Sequence, residues 1–270
     1  MTQSTLRRWG PWLAPVVLFS IATSLLSWWQ FSRRAERVEK INMVIENYDA
    51  AAVGLDDVRW TFTPSGEPEN EWKPVSITGS YLVQEAVLVR NRPLSGQSGF
   101  VQVVPFLIDS GEILLVERGW LPTGQRITEP QLNPMPADGY HDITVRLRAA
   151  EPDLQRDKVQ GQLASIHPAD LEQELAGRGT LITEFYGRLA AESPTYEISP
   201  MLMPKPSLNE GNHLSYAFQW IIFGLMAFIA FGWAFRNERR IQKELSGELT
   251  PKKQKNTQAR QDAVFEDANH

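Results

Sequence analysis

The side chains that could perform catalysis or bind a metal are few and widely spaced in this 270-residue sequence. The polar middle part contains three histidines, His141, His167 and His213, none of which forms the helical-turn pairs that metal sites use. The sequence has no cysteine, which excludes thiolate nucleophiles, iron–sulfur clusters and disulfides. Gly-x-Ser-x-Gly and Walker-type phosphate loops are also missing. The residue types therefore argue against an enzyme.

The remaining candidates for chemistry are more simply explained as surface features. They comprise two carboxylate pairs, two thioethers and one Gly/Ser loop: Asp56 with Asp57, Asp138 with Asp142, Met201 with Met203, and residues 96–99. Acidic residues in loops normally face water, and a short Gly/Ser segment between strands is typical of a turn. Two thioethers without a cysteine or nearby histidine make a weak site for a soft metal.

Two uncharged apolar segments lie near opposite ends of the chain. Any polar site must lie outside them or at their ends. Residues 9–32 and 214–235 contain no charged side chain. As helices they are long enough to cross a hydrocarbon core of about 30 Å. Tryptophan and tyrosine lie near their ends, as expected at a lipid headgroup boundary. We predict two transmembrane helices, residues 11–32 and 214–235, over the alternatives of a buried hairpin and a cleaved signal peptide.

The flanking charges predict the orientation of these helices. Arg236, Arg239, Arg240 and Lys243 follow the second span, and basic residues are retained on the cytoplasmic side. Both termini are then cytoplasmic, although the arginines directly after the first span argue the other way. The predicted organisation is a cytoplasmic N-terminus (1–10), an extracytoplasmic domain (33–213) between the spans, and a basic, disordered cytoplasmic tail (236–270). The protein is thus predicted to be a two-span protein of the cell membrane.

The charge of the middle domain excludes one class of partner. Residues 33–213 hold 17 basic and 26 acidic side chains, a net charge of −9. Nucleic-acid binding needs a basic footprint, so this domain is not expected to bind DNA or RNA.

The apolar pattern of the middle domain predicts a membrane α+β protein whose outer domain is mostly antiparallel β, as a small barrel or a sandwich. Residues 33–49 have helical spacing and are read as an N-terminal stalk, and residues 64–70 as a loop. Ser110 and Gly111 are expected to form a hairpin turn. The predicted strands are 75–82, 86–90, 100–108, 113–118, 143–147 and 181–189, with a short helix at 168–175 and an extended return at 194–206.

Several segments resemble the surfeit-locus-1 family of cytochrome oxidase assembly proteins. The first, Leu-Ser-Trp-Trp-Gln-Phe-Ser-Arg-Arg at residues 26–34, is similar to the family's Leu-Gly-x-Trp-Gln-x-x-Arg signature, with Ser27 in place of glycine. Residues 75–81 and 87–92 resemble its paired strands. Val-Glu-Arg-Gly-Trp-Leu-Pro at 116–122 matches its Arg-Gly-Trp-x-Pro motif, with Glu117 where asparagine is common. Asn-His-Leu-Ser-Tyr-Ala-Phe-Gln-Trp at 212–220 is similar to its second-helix motif.

The resemblance implies a non-enzymatic factor that assists the maturation of an aa3-type haem–copper oxidase when haem a enters the catalytic subunit. Its implied partners are the oxidase subunits, chiefly the haem-bearing one, together with proteins of haem a synthesis and the lipid bilayer. A haem needs an imidazole for iron, cations for its propionates and a flat apolar surface. The residues expected to supply these are His213 for the iron, Arg33 and Arg34 for the propionates, and Trp29, Tyr216 and Gln219 around the ring.

Simpler roles for the same residues, and two other functions, stay open at this point. The tryptophans can act as interfacial anchors, the arginines can extend to lipid phosphates, and His213 can cap a helix. Arg118 and Trp120 can shape the site or hold two strands together. The other functions are a scaffold that binds oxidase subunits without touching haem, and a two-helix envelope accessory or sensor.

Overall fold

The computed structural model describes residues 3–62, 70–156 and 159–248 and divides into two compact units. One is helical and comprises the chain up to Ala35 and from Gly211 onward; the other is the β-rich segment Glu36–Glu210. The predicted loop at 64–70 and the end of the predicted tail fall largely outside the described residues.

Two long helices contain the predicted membrane spans. Helix α1 covers Gln3–Asn47 and helix α2 covers His213–Leu245. Both are long and apolar enough to cross a membrane, and only 11% of the most apolar window of each is buried. A buried hairpin would enclose most of those side chains, so the structure contradicts that alternative. The predicted stalk is also helical, because α1 continues to Asn47 and buries Ile41 and Val44.

Five strands close into a barrel, which decides between the two β architectures predicted from the sequence. The sheet of the described residues has eight strands in all: β1 (Pro74–Tyr81), β2 (Val87–Val89), β3 (Gly99–Ile108), β4 (Glu112–Pro122), β5 (Tyr140–Ala149), β6 (Gln162–Leu163), β7 (Thr180–Leu181) and β8 (Phe185–Ser193). The barrel runs β3–β1–β5–β8–β4, and β4 pairs back onto β3. Within this ring only the β4–β8 pair is parallel. β2, β6 and β7 extend the sheet outside the ring.

Apolar side chains alternate between the two faces of the barrel wall, because successive residues of a strand point to opposite sides. One cluster fills the barrel and includes Val104, Phe106 and Val145. A second cluster covers the outer face of β3 and β4, where Ile166 and Leu171 pack. The barrel wall is therefore buried on both sides in this region, which explains why β3 and β4 read as continuous apolar runs.

The hairpin and the shorter elements are partly as predicted. Gly111 adopts a φ of +85° and donates its N–H to the Ile108 carbonyl at 2.8 Å, which confirms the turn between β3 and β4. The helix predicted at 168–175 is only a 3-10 turn, Pro168–Leu171, followed by further turns. Leu171 and Leu175 are nevertheless both buried, as their spacing indicated.

The prediction of one strand over residues 181–189 is wrong. β7 ends at Leu181 after pairing with the start of β4, and β8 begins at Phe185 and pairs mainly with β5. Phe185 belongs to the cluster inside the barrel while the next residue, Tyr186, belongs to the cluster outside it. The alternating burial of β8 thus starts only at Phe185.

Candidate functional site

Small side chains bring the middle of α1 into close contact with the first turns of α2. Ser27 is 4% exposed, and its hydroxyl donates to the Ala217 carbonyl at 3.0 Å. Nearly two turns after Ala217 on α2, a Cβ on Gly224 would lie 2.9 Å from Oγ1 of Thr23. Close approach of this kind lets polar groups bond between membrane helices. Serine at position 27, where the resembled signature has glycine, therefore preserves the approach and adds a hydrogen bond.

The opposite end of the helix pair is held by a separate set of contacts. Arg8 forms an ion pair with Glu238, and the Trp9 ring packs edge-on against Phe231 and Phe235 at 5.6 and 5.2 Å. The two helices therefore contact each other in antiparallel fashion over most of their shared length.

His213 lies at the first residue of α2 and bonds to α1. Its Nδ1 is 2.9 Å from Oε1 of Gln30. The tautomer whose Nδ1–H donates to this oxygen has the free lone pair on Nε2. This is how metal-binding histidines are usually oriented, since the nitrogen that does not bind metal donates to a fixed acceptor. Gln30 thus holds an imidazole whose other nitrogen can bind iron.

The structure does not bring all the predicted site residues to one face. Each residue turns a helix by about 100°, so Trp29 and Gln219, each two residues beyond the Ser27–Ala217 contact, point about 160° away from it. Both are exposed, Trp29 by 49%. Tyr216, also 49% exposed, lies to one side of the contact.

The two arginines also lie on different sides of α1. Arg34 is seven residues after Ser27, which is nearly two full turns, whereas Arg33 is six residues after it and points to another side. Arg34, seven residues after Ser27, returns to the contact side and is half-buried, whereas Arg33 is exposed. The residues on the contact side are therefore His213, Gln30 and Arg34.

Arg118 belongs to a buried polar cluster at one end of the barrel. Its side chain is 1% exposed and donates to both carboxylate oxygens of Glu192, at 2.6 and 3.3 Å, and to Oε1 of Gln102 at 2.9 Å. Tyr81 donates to the same carboxylate at 3.1 Å, and the guanidinium lies 5.3 Å from the Tyr81 ring centre. Burial, followed by the nearby Glu192 charge, raises the pKa of the Tyr81 hydroxyl. Arg118 thus joins β1, β3, β4 and β8, and of its two sequence-based readings the structure favours holding strands together.

Trp120 and Gly119 attach the extended segment that follows β8. Trp120 pairs through its backbone with Met201, at 2.7 and 3.0 Å, and its indole N–H donates to the Arg92 carbonyl at 2.6 Å. Gly119 has a φ of +152°, and a Cβ there would lie 2.5 Å from the Met201 carbonyl oxygen. Only glycine allows this approach. The Arg-Gly-Trp segment is therefore explained by packing within the barrel domain.

Glu117 is a second buried carboxylate and lies on the outer side of β4. Glu117 is 2% exposed and accepts from Nε of Arg188 at 2.9 Å. Burial raises the pKa of Glu117, although the Arg188 charge acts in the opposite direction. A carboxyl whose pKa is higher in the folded than in the unfolded protein stabilises the fold at low pH. That contribution to the free energy of unfolding is lost as the pH rises above the ordinary glutamate pKa.

The other histidines have structural partners in the barrel domain. His141 is 1% exposed, with Nδ1 3.0 Å from the Gly139 carbonyl and Nε2 bonded to the Tyr196 hydroxyl. Nδ1 of His167 lies 3.0 Å from the Glu151 carbonyl. Within the described residues, no group of three or more His, Asp or Glu side chains could hold a metal ion.

The bond from His213 to Gln30 and the buried position of Glu192 are the features that the sequence patterns did not indicate. Gln30 lies between two tryptophans and an arginine-rich segment, and its role depends on a contact 183 residues away in the chain. Glu192 lies beyond the strand segment predicted at 181–189. A polar residue at an inward position of an apolar strand, such as Arg118, was the available signal for a buried partner.

Comparison with known proteins gives consistent matches. The model of the SURF1 family matches residues 17–225. An uncharacterised SURF1-like protein of Mycobacterium bovis is 29% identical over 252 residues, which cover 90% of each chain. A SURF1-like protein of Rickettsia bellii is 26% identical over 220 residues, 78% of this chain and 85% of its own. The cytochrome oxidase assembly protein SHY1 of Saccharomyces cerevisiae is 37% identical over 62 residues, 23% of this chain and 16% of its own.

Proposed function

This chain belongs to the SURF1 family, and from that membership we propose that it assists the assembly of a membrane-bound cytochrome oxidase without being an enzyme. The observation that carries the proposal is the family match, which extends through the barrel and into both long helices. The yeast relative named as a cytochrome oxidase assembly protein supports the same role, although its match covers only 62 residues.

The step proposed for this protein is the delivery or insertion of haem a into the catalytic subunit of the oxidase. The support is the His213–Gln30 pair, which leaves Nε2 of a fixed imidazole available for iron. Arg34 lies on the same face of α1 as Gln30 and offers a cation for a haem propionate. A bound haem would supply its iron as the site of ligation, and these residues would hold and orient it. A single imidazole from one short helix contact suits a carrier that must release its haem.

Trp29 and Gln219 receive a different role in this proposal. Because both point away from the contact between α1 and α2, they face lipid or a helix of a partner protein. We assign them to the surface that meets an oxidase subunit or the headgroup boundary rather than to the haem plane. Tyr216 and Arg33 lie beside the contact and can reach either a bound haem or the surface that meets the oxidase subunit or the headgroups.

The proposed orientation has both termini in the cytoplasm and the barrel domain outside the cell membrane, because the basic cluster follows the second span. The chain has no cysteine, so single-cysteine labelling has no background. We expect an impermeant thiol reagent to label Asp138→Cys in intact cells and Ser246→Cys only after the membrane is opened. Labelling of Ser246→Cys, but not of Asp138→Cys, in intact cells would contradict this orientation and indicate the reverse one.

The assembly role is tested by deleting the gene. We expect cytochrome oxidase activity in membranes to fall severalfold while transcripts of the oxidase subunits persist, because an assembly factor acts after synthesis. A plasmid copy of the wild-type gene should restore the activity. Normal oxidase activity in the deletion strain under every growth condition tested would contradict the proposal.

A further inference from the structure

Gly211 lies two residues before His213 and has a backbone conformation that favours glycine. Its φ is +76°, in the left-handed region that other residues rarely adopt. Gly211 is exposed and precedes α2, whereas His213 is half-buried and begins that helix. The left-handed turn of the chain at Gly211 therefore comes immediately before the imidazole.

The absence of a side chain at Gly211 leaves space beside Nε2 of His213. A Cβ at this position would lie 3.4 Å from Cδ2 and 3.6 Å from Nε2 of the imidazole. Apart from the two chain neighbours of Gly211, no other atom of the described residues is within 4 Å of that Cβ. The Cβ would therefore lie outside the ring, next to its Cδ2–Nε2 edge. Because the lone pair of Nε2 points outward in the plane of the ring, this space borders the direction from which a ligand reaches the nitrogen.

This space matters for a bound macrocycle but not for the protein alone. Distances of 3.4 and 3.6 Å are ordinary van der Waals contacts, so an alanine methyl group would pack against the imidazole without displacing it. A haem whose iron is bound to Nε2 extends on every side of the iron–nitrogen bond, and its ring would overlap a methyl group in this position. Glycine is the residue that lets a ligand approach the backbone this closely.

We propose that Gly211 controls access to the haem-binding nitrogen, because its lack of a side chain keeps the approach to Nε2 of His213 open to a planar macrocycle. This inference rests on the proposed role of His213 in haem binding. Gln30 fixes the orientation of the ring from the Nδ1 side, and Gly211 leaves the Nε2 side uncovered. A side chain at position 211 would then weaken haem binding even though the imidazole and its acceptor are intact.

The first measurement is a titration of the purified full-length protein with haem a in detergent, followed by the visible spectrum. We expect Gly211→Ala to weaken haem affinity by at least about tenfold, since one additional methylene at a binding site changes affinity by about 10–200-fold. Gly211→Asn should weaken it to a similar degree, although asparagine tolerates a positive φ and therefore adds less backbone strain. Gly177→Ala is the matched control, because Gly177 has a φ of +81° and a Cβ there would meet no atom of the described residues within 4 Å, its chain neighbours aside.

The second measurement tests access to His213 without haem. Diethyl pyrocarbonate transfers a carbethoxy group to an accessible imidazole nitrogen, and mass spectrometry of the peptide that contains His213 gives the rate of this reaction. His213 should react severalfold more slowly in both Gly211 variants than in the wild type, and at the wild-type rate in Gly177→Ala. The melting temperature of each variant shows whether it is folded, and if Gly211→Ala does not fold, Gly211→Asn decides.

The two measurements distinguish failure of this inference from failure of the haem proposal. A wild-type protein that binds no haem would contradict the haem proposal, and the rate of reaction at His213 would still decide whether Gly211 controls access. A folded Gly211 variant that binds haem like the wild type, or whose His213 reacts as fast, would overturn the inference and leave His213 as the ligand. Failure of both variants to fold would also overturn it, because the distances leave room for a methyl group in the protein alone.

Discussion

Replacing Arg118 by methionine is expected to lower the free energy of unfolding of the barrel domain by about 3–5 kcal/mol. The substitution keeps most of the side-chain volume but leaves the Glu192 carboxylate, which is 9% exposed, without its cation. Removing one partner of a buried pair costs far more than the pair itself contributes, because the remaining charge stays in a medium of low polarity. The acceptor on Gln102 also loses its donor.

The measurement is thermal unfolding of the full-length protein in detergent, followed by tryptophan fluorescence. For a domain of this size the predicted loss corresponds to a fall of about 10 °C in melting temperature. Arg126→Met is the matched control, since Arg126 is 80% exposed and forms only a long pair with Glu129, at 3.7 Å. If the two variants melt together, the Arg118 cluster has no structural role.

Replacing His213 by alanine is expected to abolish most haem binding by the purified protein while the protein stays in the membrane. Alanine cannot replace the bond from an imidazole to iron. Gln30→Leu should weaken haem affinity less than His213→Ala, by about 10-fold or more, because it removes only the acceptor that orients the ring. The two variants together separate loss of the ligand from loss of its orientation.

The readout is the visible spectrum at equal protein concentration, from cells that make haem a. His167→Ala is the appropriate control, because His167 is outside the helix pair and bonds only to a backbone carbonyl in the barrel domain. His141→Ala should also keep its haem, but its buried contact with Tyr196 makes a folding check necessary. Identical spectra for the wild type and the His213→Ala, His167→Ala and His141→Ala variants, or no haem in any of them, would remove the ligand assignment and leave the scaffold that binds oxidase subunits as the function.

The elements of this protein were predictable wherever a simple periodicity governs them. The helical stalk and the alternating strands β1 and β5 follow directly from burial on one face, and the two spans follow from their uncharged length. β3 and β4 were recognisable as apolar runs, but their burial on both faces hides the alternation that would reveal their register. The register shift at Gln102 and Val103 depends on pairing with β4, which no local pattern in β3 indicates.

The candidate site was predictable in part for a similar reason. His213 and the arginines stand out by residue type near the ends of apolar spans. Which of them share a face depends on the rotation of each helix about the Ser27–Ala217 contact, and that contact uses a backbone carbonyl, which has no signature in the sequence. Trp29 and Gln219 were grouped with His213 because they lie in the two segments that resemble the family motifs, yet they point to other sides of the helix pair.

The most direct test of the assembly role is the haem a content of the oxidase purified from the deletion strain. This measurement separates a failure of haem insertion from a failure to make the subunits. The proposal predicts a catalytic subunit that is present but contains much less haem a per polypeptide than the wild-type enzyme, with recovery when the wild-type gene, but not the His213→Ala gene, is restored. An oxidase with full haem a content in the deletion strain would contradict it.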